Sequence, residues 1–125
     1  MTIAEYCILG AVLLCLLTIA PFKAIGFRVF DNSKPRDPDF YSEPLRARAL
    51  GAHHNGIETF PFFAVAVLMV VALGRTNAHT ALGAQLYLWG RVAYVPLYAA
   101  GLPWVRTVAW AVSLAGILLI LLPLF

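Results

Sequence analysis

Four apolar runs separated by polar interruptions set the pattern of this chain, over residues 3–29, 45–73, 78–98 and 104–122. A helix needs about 20 predominantly apolar residues to cross a hydrocarbon core about 30 Å thick. The pattern therefore predicts four spanning helices, each with some allowance for tilt. The first connection, DNSKPRDPDFYSEP from Asp31 to Pro44, carries three prolines among Asp, Asn and Ser, which is loop chemistry. LGRTNAH (73–79) and AAGLP (99–103) read as short turns. The second run opens polar, with RARALGAHHNGIE from Arg46 to Glu58, and becomes apolar only afterwards.

Composition agrees with the pattern. Of 125 residues, 62% are hydrophobic and 12% charged, and mean hydropathy is +0.82. These values lie outside the range of a soluble domain of this size. Four spans leave no room for a separate soluble domain, so residues 1–125 read as one all-α, four-span transmembrane domain. The first run lacks a basic leader and carries Glu5, so it reads as an uncleaved span. Cys7 and Cys15 stand eight residues apart on that one predicted helix, which suits neither a disulfide nor a metal site.

The net charge of +3 raises nucleic acid as a partner, but the basic residues form no patch with interleaved aromatics, and none is expected. Membrane topology accounts for them better. The first and third loops, with their adjoining helix ends, hold Lys23, Arg28, Lys34, Arg36, Arg46, Arg48, Arg91 and Arg106, and only Arg75 lies on the other side. The positive-inside rule puts those loops in the cytoplasm and both termini outside.

Polar residues inside the runs are the candidate chemistry. Arg48, Asn55 and Glu58 fall within a stripe under about 100° wide on a helix. At about 1.5 Å per residue, Glu58 lies roughly 15 Å along the axis from Arg48. An ionised carboxylate there is costly in hydrocarbon, so it is expected to face other helices or a polar cavity. Pro61 and Pro96 free the carbonyls of Ile57 and Val92, adding polar groups to satisfy. In the third run Tyr87, Arg91, Tyr94 and Tyr98 follow one another at spacings of four, three and four, which aligns them on one face. Arg106 opens the fourth run near the same membrane side. Together these make a candidate site for an anionic ligand. His53 and His54 are about 100° apart and cannot both point into it, and no metal site is expected.

Arg48, Ala52, Asn55, Glu58 and Pro61, followed by GRVAYVPLY (90–98) and Arg106, resemble the MAPEG family, membrane-associated proteins in eicosanoid and glutathione metabolism, in its small bacterial-type branch. The resemblance implies a homotrimer of four-helix subunits in a bacterial inner membrane, with glutathione as co-substrate between subunits near the cytoplasmic face. It implies glutathione-binding roles for Arg48, Asn55, Glu58, Arg91, Tyr94 and Tyr98. Arg106 resembles the arginine that stabilises the thiolate, and Lys23, Arg28 and His54 are further candidates. The activity implied is that of a glutathione transferase or glutathione-dependent peroxidase acting on lipophilic small molecules. Gly51 stands where the family's motif often has a second arginine, and Ala47 where an acidic residue commonly precedes Arg48. Those departures motivate the alternative of a noncatalytic lipid-binding or scaffold membrane protein. A small transporter has the least support, because four short spans supply little beyond the site itself.

Overall fold

The computed structural model describes the backbone of residues 1–24 and 31–125 and the side chains of residues 1–18 and 31–125. Four α-helices make up the described chain: α1 (Ile3–Ala24), α2 (Pro44–Ala72), α3 (Ala78–Ala99) and α4 (Pro103–Leu121), with short 3₁₀ turns at Phe40–Ser42 and Leu122–Leu124. No strand occurs among the described residues. Among the described residues, two stretches, Pro44–Ala72 and Pro103–Leu124, are long and apolar enough to cross a membrane, with mean hydropathy 1.7 and 2.3. Only 28% and 22% of these stretches is buried within the chain, so their apolar surface faces outward. A core helix of a soluble protein would be mostly covered. Ile3–Thr18, the part of α1 whose side chains are described, is apolar as well.

Local chemistry explains where the helices begin and end. Pro44 takes the first position of α2, where its missing N–H costs nothing, and the Glu43 carboxylate accepts from the N–H groups of Leu45 and Arg46 at 3.1 and 2.9 Å. Asn77 and Thr80 form a reciprocal capping box at the start of α3. Gly74 (φ 63°) and Gly101 (φ 73°) end α2 and α3 in the left-handed region, and the next residue's N–H reaches back to the carbonyls of Val70 and Leu97 respectively. Arg75 then donates to the carbonyls of Pro123 and Leu124, tying the α2–α3 turn to the end of the chain.

The first loop is also anchored. Arg46 donates from Nε to the Phe40 carbonyl at 2.6 Å, with its guanidinium 4.7 Å from the ring of the buried Phe40. Here a basic residue of the topology set works as a clasp between loop and helix.

The helices pack through a narrow core. Ala4, Cys7 and Ala11 of α1 meet Phe63, Ala66, Val67 and Val70 of α2, Ala84 and Tyr87 of α3, and Ile117 and Ile120 of α4. Phe63 and Tyr87 stack with centroids 3.9 Å apart and planes 10° from parallel. Helices α3 and α4 make the most extensive pair. A Cβ on Gly83 would lie 2.5 Å from the Gly116 carbonyl oxygen, and one on Gly116 equally close to that of Gly83. Two backbones this close leave no space for side chains, as at small-residue crossings in membranes. Cys7 and Cys15 are both free thiols.

Two predictions follow from this packing and capping. Gly83→Ala should destabilise the protein by about 1–3 kcal/mol, the usual range for overpacking against atoms that cannot yield, read as a lower thermal midpoint in detergent. The backbone N–H of Arg46, followed by that of Leu45, holds the Glu43 carboxyl below the usual carboxylate range. A lowered value in the fold means that the cap stabilises at neutral pH, weakens below the unfolded value of about 4.3, and is lost as pH falls through the folded value. The gap in thermal midpoint between wild type and Glu43→Gln should therefore close on acidification; a gap constant from pH 7 to pH 3 would contradict it.

Candidate functional site

The polar residues of α2, α3 and α4 meet where α3 ends and α4 begins. Arg91 is 3% exposed, and its Nη2 donates to Asn55 Oδ1 at 2.8 Å. A guanidinium has no acceptor, so this bond fixes the Asn55 amide with its oxygen toward Arg91 and its NH₂ turned elsewhere. The Arg91 guanidinium also lies 4.4 Å from the Tyr94 ring centroid. Tyr94 meets Tyr98 edge to face at 5.5 Å, and Arg106 sits 4.0 Å above the Tyr98 ring. The result is an alternating ladder of Arg91, Tyr94, Tyr98 and Arg106, built from i, i+3 and i, i+4 spacing on α3 and closed by the first turn of α4. Each guanidinium is held over a π face, an attraction worth about 0.5–2 kcal/mol depending on desolvation.

Beside the ladder is an open groove of about 270 Å³ lined by Asn55, Tyr94, Arg106, Thr107 and Trp110. Thr107 and Trp110 were not among the residues singled out from sequence. Trp110 stands four residues after Arg106, a helical spacing that puts both on one face of α4 without saying what that face meets.

The other candidates are placed differently. Tyr87, aligned with the ladder in sequence, turns into the core against Phe63, its hydroxyl 3.2 Å from Thr59 Oγ1. The Arg48 guanidinium lies against the α3–α4 turn, so that a Cβ on Gly101 would come 2.8 Å from its Cζ. Glu58 and His54 are on the exposed side of α2. No ion pair joins Glu58 to an arginine among the described residues, where Arg46 and Glu43 at 4.0 Å form the ion pair. His53 turns inward, its Nδ1 3.0 Å from Thr18 Oγ1, so the two histidines do diverge. The side chains of Lys23 and Arg28 lie outside the described residues. No cluster of three metal-binding side chains occurs among the described residues.

Gly51 has a structural reason. A Cβ there would lie 2.5 Å from the Tyr98 hydroxyl oxygen and 2.8 Å from its Cζ, so the phenol occupies the space that a longer residue would need.

The MAPEG family model matches residues 3–125, essentially the whole chain. The chain belongs to the MAPEG family. No curated protein and no solved structure matches it. Membership in MAPEG, together with the outward-facing apolar helices, makes this a membrane protein related to glutathione and eicosanoid metabolism.

Within this MAPEG chain, Gly51→Ala should push Tyr98 off α2 and remove the ring beneath Arg106. Labelling of Arg106 by phenylglyoxal, mapped by mass spectrometry, should rise while labelling of the buried Arg91 stays low; unchanged labelling of Arg106 would show that the phenol relaxes without releasing it.

Proposed function

We propose that this protein is a membrane-bound glutathione transferase or peroxidase-like enzyme that activates the glutathione thiol for attack on lipophilic electrophiles or hydroperoxides. The observation that carries this reading is the groove lined by both Arg106 and Asn55 beside the Arg–Tyr ladder.

The chemistry suits an anionic thiol tripeptide. Arg106 supplies a fixed positive charge; next to a thiol of ordinary pKa about 8.5, it raises the thiolate fraction at neutral pH. The Asn55 Nδ2 hydrogens, freed by the bond of Oδ1 to Arg91, donate to a carbonyl or carboxylate of the ligand. Arg48, held at the α3–α4 turn, offers a second cation, and Glu58 an acceptor for the ammonium group. Arg91, Tyr94 and Tyr98 keep these groups in register. Lys23, Arg28 and His54 are outer candidates for the same ligand. The thiolate sulfur then bonds to an electrophilic carbon reached from the bilayer as that carbon's leaving group departs with the bonding pair, or to a hydroperoxide oxygen as the O–O bond breaks and the alkoxide takes a proton to leave as the alcohol. In the second case a further glutathione thiol reduces the sulfenic acid, giving glutathione disulfide and water.

Assembly belongs to this reading. A carboxylate on the exposed face of a spanning helix costs several kcal/mol in lipid. Covering that face with a second subunit in a homotrimer puts Glu58 in a polar cleft instead. In this reading the membrane is a bacterial inner membrane, as the small bacterial-type MAPEG resemblance implies, and the distribution of Lys and Arg puts the first and third loops in the cytoplasm and both termini outside.

The test is ultraviolet absorbance of the thiolate when glutathione is added to purified protein at neutral pH. Wild type should develop the band and Arg106→Ala should lose it while keeping its oligomeric state. Absence of the band in intact wild type at millimolar glutathione would overturn the enzymatic reading in favour of a lipid-binding or scaffold protein.

A further inference from the structure

Arg91 donates from Nη2 to Asn55 in the groove wall, and its other terminal nitrogen is not used in that bond. Its Nη1 is buried and has no hydrogen-bond partner among the described residues. Arg91 also lines a cavity of about 10 Å³ between α1, α2 and α3, together with Ala11, Leu14, Cys15, Thr18, Gly56 and Tyr87. The volume suits one water molecule, whose centre needs roughly 10–15 Å³, and is too small for an organic ligand. A charged donor enclosed in apolar surroundings is among the costliest groups to leave unpaired.

The hydroxyls of the cavity are set as acceptors. Thr18 Oγ1 donates to the Cys15 carbonyl at 2.9 Å, and its 3.0 Å contact with His53 Nδ1 is then met by the tautomer that carries its proton on Nδ1. Thr59 Oγ1 donates to the Asn55 and Gly56 carbonyls at 3.1 and 3.3 Å, so in its contact with Tyr87 the phenol donates. Both Thr18 Oγ1 and Tyr87 Oη thus keep a lone pair and have no hydrogen left to give.

We propose that this cavity is an internal hydration site holding one water molecule, which accepts from Arg91 Nη1 and donates to Thr18 Oγ1 and Tyr87 Oη. Three hydrogen bonds are the usual complement of a buried water. The water joins α1 to α3 and keeps the guanidinium turned so that Nη2 stays on Asn55. It is therefore a positioning element for the groove wall, and it does not depend on glutathione being the ligand.

Gly56→Ala tests the site through the sign of its effect. The added Cβ meets no atom nearer than Arg91 Nη2 at 3.9 Å, so it fits against the protein, but it takes space from the cavity. If the cavity is dry, the methyl fills a void and replaces a mid-helix glycine, and Tm rises. If it holds water, the methyl expels it and orphans Nη1, and Tm falls. We expect a fall in the wild-type background and a rise in an Arg91→Met background, where there is no charge to hydrate. A rise in both backgrounds, or an equal fall in both, overturns the proposal. Should Gly56→Ala fail to fold, a high-resolution cryo-EM map of the wild-type protein decides: a discrete density peak within hydrogen-bonding distance of Nη1 supports the water, and a featureless void there sinks it.

Discussion

A permanently charged guanidinium enclosed by apolar helices is the constraint around which this bundle is arranged. Arg91 cannot shed its proton, so every N–H it buries needs an acceptor or a π face. Asn55 on α2 meets one of these needs and the Tyr94 ring meets another, which ties the two helices together at one level of the bundle. Asn55 also lines the groove, so the side chain that pairs the buried cation belongs to the groove wall as well.

The ladder depends in turn on where backbones approach closely. Gly83 and Gly116 bring α3 and α4 into near contact, and Phe63 and Tyr87 fill the core beside that crossing. The turn through Gly101 then starts α4 with Arg106 over the ring of Tyr98. Gly51 leaves room for that ring against α2. Absence of side chains at these points is what lets large polar groups be held in fixed places nearby. A residue that looks like a lost arginine in the family pattern is, in the fold, the seat of a phenol.

Polar groups of α2 are divided between two surroundings. Asn55, Thr59 and His53 face inward and are paired with α3 or α1, whereas Arg48, His54 and Glu58 are exposed. A stripe about 100° wide spans both sides of such a boundary, because a helix face one-quarter of a turn wide can lie half inside and half outside a packed bundle. An enzyme site shared between subunits would use this division, with the inner residues as its fixed wall and the outer ones as its adjustable rim.

Much of the architecture was legible from the residues. Apolar runs of spanning length, the proline-rich first loop and the MAPEG pattern all depend on local composition and periodicity, which a sequence states directly. The alignment of Arg91, Tyr94 and Tyr98 followed from helical spacing, and so did the divergence of His53 from His54. Spacing, however, defines a face and not its neighbour. Tyr87 shares that face yet enters the core, because the helix crossing puts Phe63 opposite it. The partner of Arg91, the role of Gly51, the entry of Thr107 and Trp110 into the groove and the small cavity beneath Cys15 were decided by tertiary structure alone. Each depends on the distance and rotation between helices, and these are set by side-chain volumes at crossings far apart in the chain.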